Sequence, residues 1–413
     1  MSKFTRDVRN QLRSYFESGD KPTEEQWHAF IKAIQDGIES HEHKSSGGCG
    51  SGTGDAAPAS FPGAGGEAPV SFPEIWHDRH LRNIRAWRRR LATRPDLATR
   101  MLAVSWTGEA GQDGVRALIS DGEYIYAGLD TEPAQVVKID PRTMAAVATW
   151  TGEEGQNRCW ALTWNGGYLY AGLWTDPAQI AMIERDAMKH VTQWVGSPDQ
   201  TNCAALVSDG QFLYAGLFTA PACIVKIEFR ALTTVSKWTG DANQIRCYAL
   251  IYDGECLYAG LYGSPGNVVK IHPESMGTIA RLDDDEDPTH CSALCTDGSY
   301  VYAGFYDALP VVQKLHRADL SLVDTWAGYE DEPYCASLLY DGESLYAGLV
   351  ADTGKVVKFS LPDLDRISEW QAAGGSGGCQ ALASDGMYVY SGLDSGPAQV
   401  VRKIIRDFNE KED

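Results

Sequence analysis

The chain has 413 residues, a length that indicates more than one folding unit. Its residues are 43% hydrophobic and 22% charged, a balance typical of folded globular proteins. Its formal net charge of −20 disfavours nonspecific contact with nucleic acid, so we expect no nucleic-acid partner. No apolar stretch is long enough to span a bilayer, and the first residues lack the apolar segment of a secretory signal. We therefore expect neither membrane insertion nor export.

Residues 1–43 predict a helical hairpin. Apolar residues recur at helical spacing, first from Phe4 to Phe16 and then from Trp27 to Ile38. Between them lie a Gly-Asp-Lys-Pro break and a Thr-Glu-Glu-Gln capping box. Such a hairpin has too little core to be stable alone, so we expect it to oligomerise or to attach to another protein.

Residues 44–73 are rich in Gly, Ser, Ala and Pro, which is typical of a flexible linker, and residues 74–98 predict a basic amphipathic helix. Its arginines are expected to meet an acidic protein surface. His41 and His43 form a His-x-His pair before the linker. In a trimer, the pair would place six imidazoles around one axis, a set that suits iron, nickel or zinc; a solvated helix end is the alternative. Cys49 is a candidate cross-link between subunits.

From residue 106 onwards the sequence repeats every 44 residues. The units begin, in chain order, at Trp106, Trp150, Trp194, Trp238, Leu282, Trp326 and Trp370. Each unit contains short alternating apolar runs, and Asp-Gly or Asn-Gly between the first two runs predicts a type I′ hairpin. Four strands per unit at this period are typical of propeller blades. The predicted fold class is therefore mainly β, a seven-bladed propeller over residues 99–413.

Three positions are nearly constant among the units. The second run carries a tyrosine in every unit, at Tyr126, Tyr170, Tyr214, Tyr258, Tyr302, Tyr346 and Tyr390. A glycine follows two residues later, at Gly128, Gly172, Gly216, Gly260, Gly304, Gly348 and Gly392. We expect each tyrosine to be buried between blades with its hydroxyl bonded to a backbone group, and each glycine to let neighbouring sheets approach.

The third constant position is a cysteine that begins the first run of six units. These cysteines are Cys159, Cys203, Cys247, Cys291, Cys335 and Cys379, and Val115 takes their place in the first unit. We expect them around one end of the central channel, as small packing residues rather than as metal ligands or disulfides, because the valine is compatible only with packing.

The last unit lacks a fourth apolar run, whereas residues 99–106 resemble one. We therefore predict that residues 99–106 pair with the last blade and close the ring, which removes an exposed sheet edge.

Positions that vary between units mark a candidate binding face. Aromatic residues occur where the first strand begins and the second ends, at Trp160, Trp174, Phe218, Tyr248, Tyr262 and Tyr306, whereas the first and last units have Asp130 and Asp394. Aromatic rings beside carboxylates suit stacking on sugar rings with hydroxyl contacts. The alternative is that these rings extend the core between blades.

The unit arrangement resembles that of bacterial YVTN-type and WD-repeat propellers, over residues 99–413. The stretch "LRSYFESGDKPTEEQWHAFIKAI" resembles the attachment end of bacteriophage tail, collar and other fibre or appendage proteins. The Gly-rich stretch around His41 and Cys49 is similar to segments of such fibres. This second resemblance implies a virion localisation, virion proteins as partners through residues 1–98, and a trimer.

These observations favour a virion structural or appendage protein whose propeller decorates the particle or recognises a host surface glycan. The alternatives are a cytoplasmic propeller scaffold for protein partners and a polysaccharide lyase or hydrolase. No catalytic motif is present in the sequence, so we expect no enzymatic activity and name no catalytic residue.

Overall fold

The computed structural model describes residues 105–404, except for residues 264–265, 283–287, 307–308, 330–331, 333, 352–353 and 372–376. The predicted hairpin, linker and basic helix, with His41, His43 and Cys49, lie outside this part of the chain. The described residues form seven four-stranded antiparallel sheets. The predicted mainly β, seven-bladed propeller is therefore confirmed.

The strands follow one another in the same order in every blade. The first three blades comprise β2 (Val115–Ser120), β3 (Ile125–Leu129), β4 (Gln135–Asp140), β5 (Ala145–Thr151), β6 (Cys159–Asn165), β7 (Tyr168–Leu173), β8 (Gln179–Glu184), β9 (Lys189–Val195), β10 (Cys203–Ser208), β11 (Phe212–Leu217), β12 (Cys223–Glu228) and β13 (Thr233–Thr239). The fourth and fifth comprise β14 (Cys247–Tyr252), β15 (Leu257–Leu261), β16 (Asn267–His272), β17 (Gly277–Arg281), β18 (Cys291–Thr296), β19 (Tyr300–Phe305), β20 (Val311–His316) and β21 (Leu322–Ala327). The last two comprise β22 (Cys335–Tyr340), β23 (Leu345–Leu349), β24 (Lys355–Ser360), β25 (Asp365–Gln371), β26 (Cys379–Ser384), β27 (Tyr388–Leu393) and β28 (Gln399–Ile404).

The core of the propeller lies between the blades. The first strands of neighbouring blades contact one another around the whole ring, so they form its inner wall. The middle strands are buried, whereas the outer strands alternate between exposed and buried residues, as in β5 and β9. Each blade therefore buries both faces of its sheet against its two neighbours.

The repeated glycine and cysteine form one contact between adjacent blades. A Cβ added to Gly128 would lie 2.6 Å from the Sγ of Cys159 in the next blade, and Gly392 meets Val115 across the ring closure in the same way. The six cysteines are fully buried, and all nine cysteines in the described part of the chain are free thiols. The packing role is confirmed: at the start of the innermost strands, the thiols fill the space between neighbouring sheets.

The hydroxyl of the repeated tyrosine bonds to a carboxylate in six blades, where we expected a backbone group; in one of them, the Tyr258 hydroxyl also lies 3.2 Å from the Arg317 carbonyl. Tyr126 is fully buried and its hydroxyl donates to Asp121 Oδ2 at 3.0 Å, and five other blades show the same bond. The other oxygen of Asp121 accepts the backbone N–H groups of Glu123 and Tyr124. The loop is thus closed by the aspartate side chain. The predicted type I′ turn is not formed, because φ is positive at Gly122 but not at Asp121.

A buried cation completes this network and reaches the next blade. The ammonium groups of Lys226 and Lys270 donate to the carbonyl oxygens of Pro273 at 3.0 Å and Arg317 at 2.8 Å, each in the turn before the outer strand of the following blade. Arg402 of the last blade donates in the same way to the Pro141 carbonyl of the first. These bonds tie each blade to the next.

The second blade departs from this pattern at two positions together. Asn165 replaces the aspartate and Met182 replaces the lysine. The hydroxyl of Tyr170 donates instead to the carbonyl of Phe229, at 2.9 Å, which is the turn carbonyl that a lysine would have bound. Losing the anion and the cation together avoids an unpaired buried charge.

We expect Met182→Lys alone to destabilise the protein by about 3 kcal/mol, because its ammonium would be buried without a carboxylate and would compete with Tyr170 for one carbonyl. Adding Asn165→Asp should recover at least about 1 kcal/mol, since it restores the pair found in the other blades. Chemical denaturation of the two single variants and the double variant measures this coupling; strictly additive effects would contradict it.

The ring closes through β1 (Ser105–Thr107), which is the outer strand of the last blade. Trp106 lies opposite Val400, and Thr107 lies opposite Gln399. The predicted closure is therefore confirmed for the described part of the segment, which extends to residue 107. No helix in the described part of the chain has both the length and the apolar composition needed to cross a bilayer.

Candidate functional site

One end of the ring carries the loops after the second and fourth strands of each blade, and it is there that the repeat loses its uniformity. A β-bulge re-aims one residue of each first strand towards this end. In the second blade Cys159 pairs with Leu173 and Ala161 with Gly172, which leaves Trp160 as the extra residue. The corresponding residues of the other blades are Arg116, Ala204, Tyr248, Ser292, Ala336 and Gln380.

In the first six blades, the residue before the first strand has a left-handed backbone. These residues are Gly114, Arg158, Asn202, Arg246, His290 and Tyr334, with φ between 50° and 60°. Their carbonyl groups accept the N–H of the residue that directly follows the second strand, as Arg158 does from Trp174 at 2.9 Å. This bond brings three variable positions to the same end of the ring: the residue before the first strand, the extra residue of its β-bulge, and the residue after the second strand.

Eight rings from five blades lie against one another there, and we call them the aromatic arc. Its members are Trp160, Trp174, Phe218, Tyr248, Tyr262, His290, Tyr306 and Tyr334. The ring centroids of Trp160 and Trp174 are 4.0 Å apart, and Tyr306 stacks on Tyr334 at 3.9 Å. All eight side chains are half-buried, so each ring combines contact with its neighbours and contact with solvent.

The aromatic arc approaches the axis of the ring at Trp160 and Tyr248. These residues belong to the second and fourth blades, yet their ring centroids are 6.0 Å apart. The third blade presents only Ala204 at the same position, which leaves room for the two rings to meet. Because they skip a blade, the two side chains lie over the end of the central channel.

The remaining sector of this end is charged. Arg116 donates to Asp130 at 2.8 Å and forms an ion pair at 2.9 Å with Asp394 of the last blade. Its guanidinium also lies 5.1 Å from the ring centroid of Trp160, within cation–π range. A Cβ at residue 114 would lie 2.9 Å from Asp394 Oδ1, so Gly114 makes room for this cluster.

Three tyrosines of the aromatic arc, Tyr248, Tyr262 and Tyr306, remain neutral at physiological pH. Burial raises the pKa of Tyr248 to about 12, although Arg116 nearby opposes the shift. Burial likewise raises the pKa of Tyr262 and Tyr306. Neutral phenols can donate and accept hydrogen bonds, but they do not supply a base or a nucleophile.

The structure brings together all six aromatic residues that the sequence marked, and it places Asp130 and Asp394 beside them. Whether this face binds a ligand stays a prediction. Sequence reasoning missed Arg116, Arg246, His290 and Tyr334 as members of the same surface. A signal was present, because the residue directly before each repeated cysteine varies from blade to blade. Within the described residues, no group of three or more His, Cys, Asp or Glu side chains is placed to hold a metal.

Comparison with known proteins establishes the fold class. The chain is similar to the solved structures titled "Structure of U3-55K" and "Crystal structure of RRP9 WD40 repeats", each with a TM-score of 0.61 and 12% identity over 73% of this chain, and over 99% and 98% of theirs. A computationally designed protein, Ika8, matches with a TM-score of 0.54 and 14% identity over 72% of this chain and 98% of its own. No protein-family model and no curated protein matches the sequence. The chain therefore shares the propeller fold of WD40-repeat proteins.

Proposed function

We propose that this protein is a non-enzymatic binding module and that the aromatic arc is its ligand site, with a saccharide as the ligand. The observation that carries the proposal is where the seven repeats differ. Buried positions such as Tyr126, Gly128 and Cys159 recur around the ring, whereas the positions at one end change from blade to blade. A purely structural ring would have no reason to concentrate its variation there.

The chemistry of the aromatic arc suits sugar rings. A sugar presents an apolar C–H face, and covering aromatic surface contributes about 25 cal/mol per Å². The hydroxyls of Tyr248, Tyr262 and Tyr306 offer hydrogen bonds to sugar hydroxyls, and the half-buried carboxylates of Asp130 and Asp394 offer acceptors nearby. Raised phenol pKa values support binding rather than catalysis.

The direction of the closing strand supports a display role. β28 runs from Gln399, opposite Leu393 near the aromatic arc, to Ile404, opposite Tyr388 near the hairpin turn. β1 is antiparallel to β28, so it runs towards the aromatic arc and the chain enters the blade from the other direction. We propose that residues 1–98 attach the protein to other virion proteins and to its own copies in a trimer, and that the aromatic arc binds a host surface glycan. The resemblance of residues 12–34 to phage appendage proteins supports this localisation.

Trp174→Ala is expected to weaken glycan binding by at least about tenfold, because it removes a half-buried ring that packs between Trp160 and Phe218. Its stability cost should stay well below the roughly 3–5 kcal/mol of a fully buried tryptophan. Trp194→Ala in the same blade is the matched control: Trp194 is 4% exposed and bonds to Thr234, so this variant should lose stability but bind normally once folded. A polysaccharide array with thermal melting measures both; a large loss of stability by Trp174→Ala with unchanged binding would refute the site.

A scaffold for protein partners is the second candidate, and the shared fold with the RRP9 WD40 repeats favours it. A partner protein that competes with no glycan, and binds Trp174→Ala normally, would support this candidate. A lyase or hydrolase would release new reducing ends from a bound polysaccharide, which a reducing-sugar assay detects.

A further inference from the structure

Arg116, Arg158 and Arg246 lie beside the aromatic arc, and two of these three arginines are paired with carboxylates. Arg116 is held by Asp130 and Asp394, and Arg158 bonds to Glu132 at 3.0 Å. Arg246 forms no ion pair with any residue that the structure describes, and it is exposed. Of these three arginines, it is the one whose charge the described residues leave uncompensated.

The backbone of Arg246 is held in place. Its φ is 59°, its N–H donates to the Thr219 carbonyl at 2.7 Å, and its own carbonyl accepts the N–H of Tyr262 at 2.8 Å. The guanidinium carbon lies 5.0 Å from the ring centroid of Phe218. A guanidinium that rests on an aromatic face keeps its N–H edges free, and these edges match the two oxygens of a carboxylate.

We infer that the ligand is an acidic saccharide, in which a sugar ring stacks on the aromatic arc and its carboxylate bonds to Arg246. This inference rests on the proposed function and specifies its ligand class. The net charge of −20 opposes an anionic ligand at long range. Salt screens that repulsion beyond about 8 Å at physiological ionic strength, whereas the contact with Arg246 is direct.

The ligand test compares three probes on the full chain. Polygalacturonate supplies carboxylates, carboxyl-reduced polygalacturonate supplies the same backbone as a neutral chain, and dextran sulfate supplies negative charge without carboxylates. We expect binding to polygalacturonate to be at least about tenfold tighter than binding to the other two probes, a difference of about 1.4 kcal/mol.

The other outcomes separate the inference from the proposed function. Equal binding to the reduced chain would leave the proposed function standing and overturn the inference that the ligand is acidic. Equal binding to dextran sulfate would show that any negative charge suffices, and would overturn the inference that Arg246 recognises a carboxylate. Binding to none of the three would overturn the inference, while binding to neutral glycans on the array would still uphold the proposed function.

The residue test uses Arg246→Asn, because asparagine tolerates a left-handed backbone and Asn202 already occupies this repeat position in the third blade. The variant should melt like the wild type and lose the preference for polygalacturonate over its reduced form. Arg158→Asn, whose arginine is already paired with Glu132, is the matched control and should keep the preference. An Arg246→Asn variant that retains the full preference would overturn the role of Arg246.

Discussion

Removal of residues 1–107 is expected to leave a propeller that cannot close and that aggregates, whereas removal of residues 1–98 leaves a folded, monodisperse one. β1 supplies the outer strand of the last blade, and without it β28 becomes an exposed edge strand. Trp106, 5% exposed, would also leave the cluster that contains Val115 and Val400. Losing a buried tryptophan costs about 3–5 kcal/mol before the lost backbone bonds are counted.

Size-exclusion chromatography with light scattering and thermal melting by circular dichroism distinguish the two truncated chains. Trp106→Ala within the shorter truncation serves as the control, because it removes the side chain but keeps the strand. The melting temperature of this variant should lie between those of the chains that begin at residue 99 and at residue 108. If the chain that begins at residue 108 is monomeric and melts with the one that begins at residue 99, closure through β1 is wrong.

Glu332→Ala is expected to destabilise the protein by about 3–5 kcal/mol, because Glu332 is fully buried and compensates two cations. Its carboxylate accepts bonds from Lys355 at 2.7 Å and from Arg366 at 2.9 Å and 2.7 Å. It also accepts the Tyr329 N–H, which orders the loop before the sixth blade. Urea denaturation at neutral pH measures the loss; a change below about 1 kcal/mol would contradict the role of this cluster.

The first blade provides the matched control. There Gln112 donates to Gln135 at 2.8 Å, and these residues occupy the repeat positions of Glu332 and Lys355. The double variant Glu332→Gln/Lys355→Gln therefore rebuilds a neutral pair that the ring already contains. It should be more stable than Glu332→Ala and than Glu332→Gln alone, which leaves Lys355 without its buried partner.

The same cluster predicts a dependence on pH. Burial alone would raise the pKa of Glu332, but hydrogen bonds from Arg366 and Lys355 outweigh it, and the pKa is lowered. A carboxylate whose pKa is lower in the folded than in the unfolded state contributes stability at neutral pH, and this contribution is lost as the pH falls through the folded value. The stability difference between wild type and Glu332→Gln should therefore be constant near neutrality and shrink in acid.

The fold could be derived from the sequence because its determinants are local and repeated. Alternation along each strand sets which side chains face the neighbouring blades, and the 44-residue interval sets the number of blades. Even the closure through β1 could be predicted, because the last unit lacks a fourth apolar run and residues 99–106 resemble one. The bonding of Tyr126 was misjudged for a local reason as well: Asp121 was read as a turn former only, although its second oxygen lies within reach of the hydroxyl.

The sequence by itself determined which six aromatic residues would gather at one end, since strand direction assigns each position to an end. Only the tertiary structure decided what they meet there. That Trp160 touches Tyr248 two blades away depends on the width of the channel and on the small Ala204 between them. That Arg116 is neutralised by Asp394 depends on the two ends of the chain being brought together, whereas Arg246 in the middle of the ring has no such neighbour among the described residues. These contacts join residues that are far apart along the chain and meet only because the ring is closed, so spacing along the chain carries no information about them.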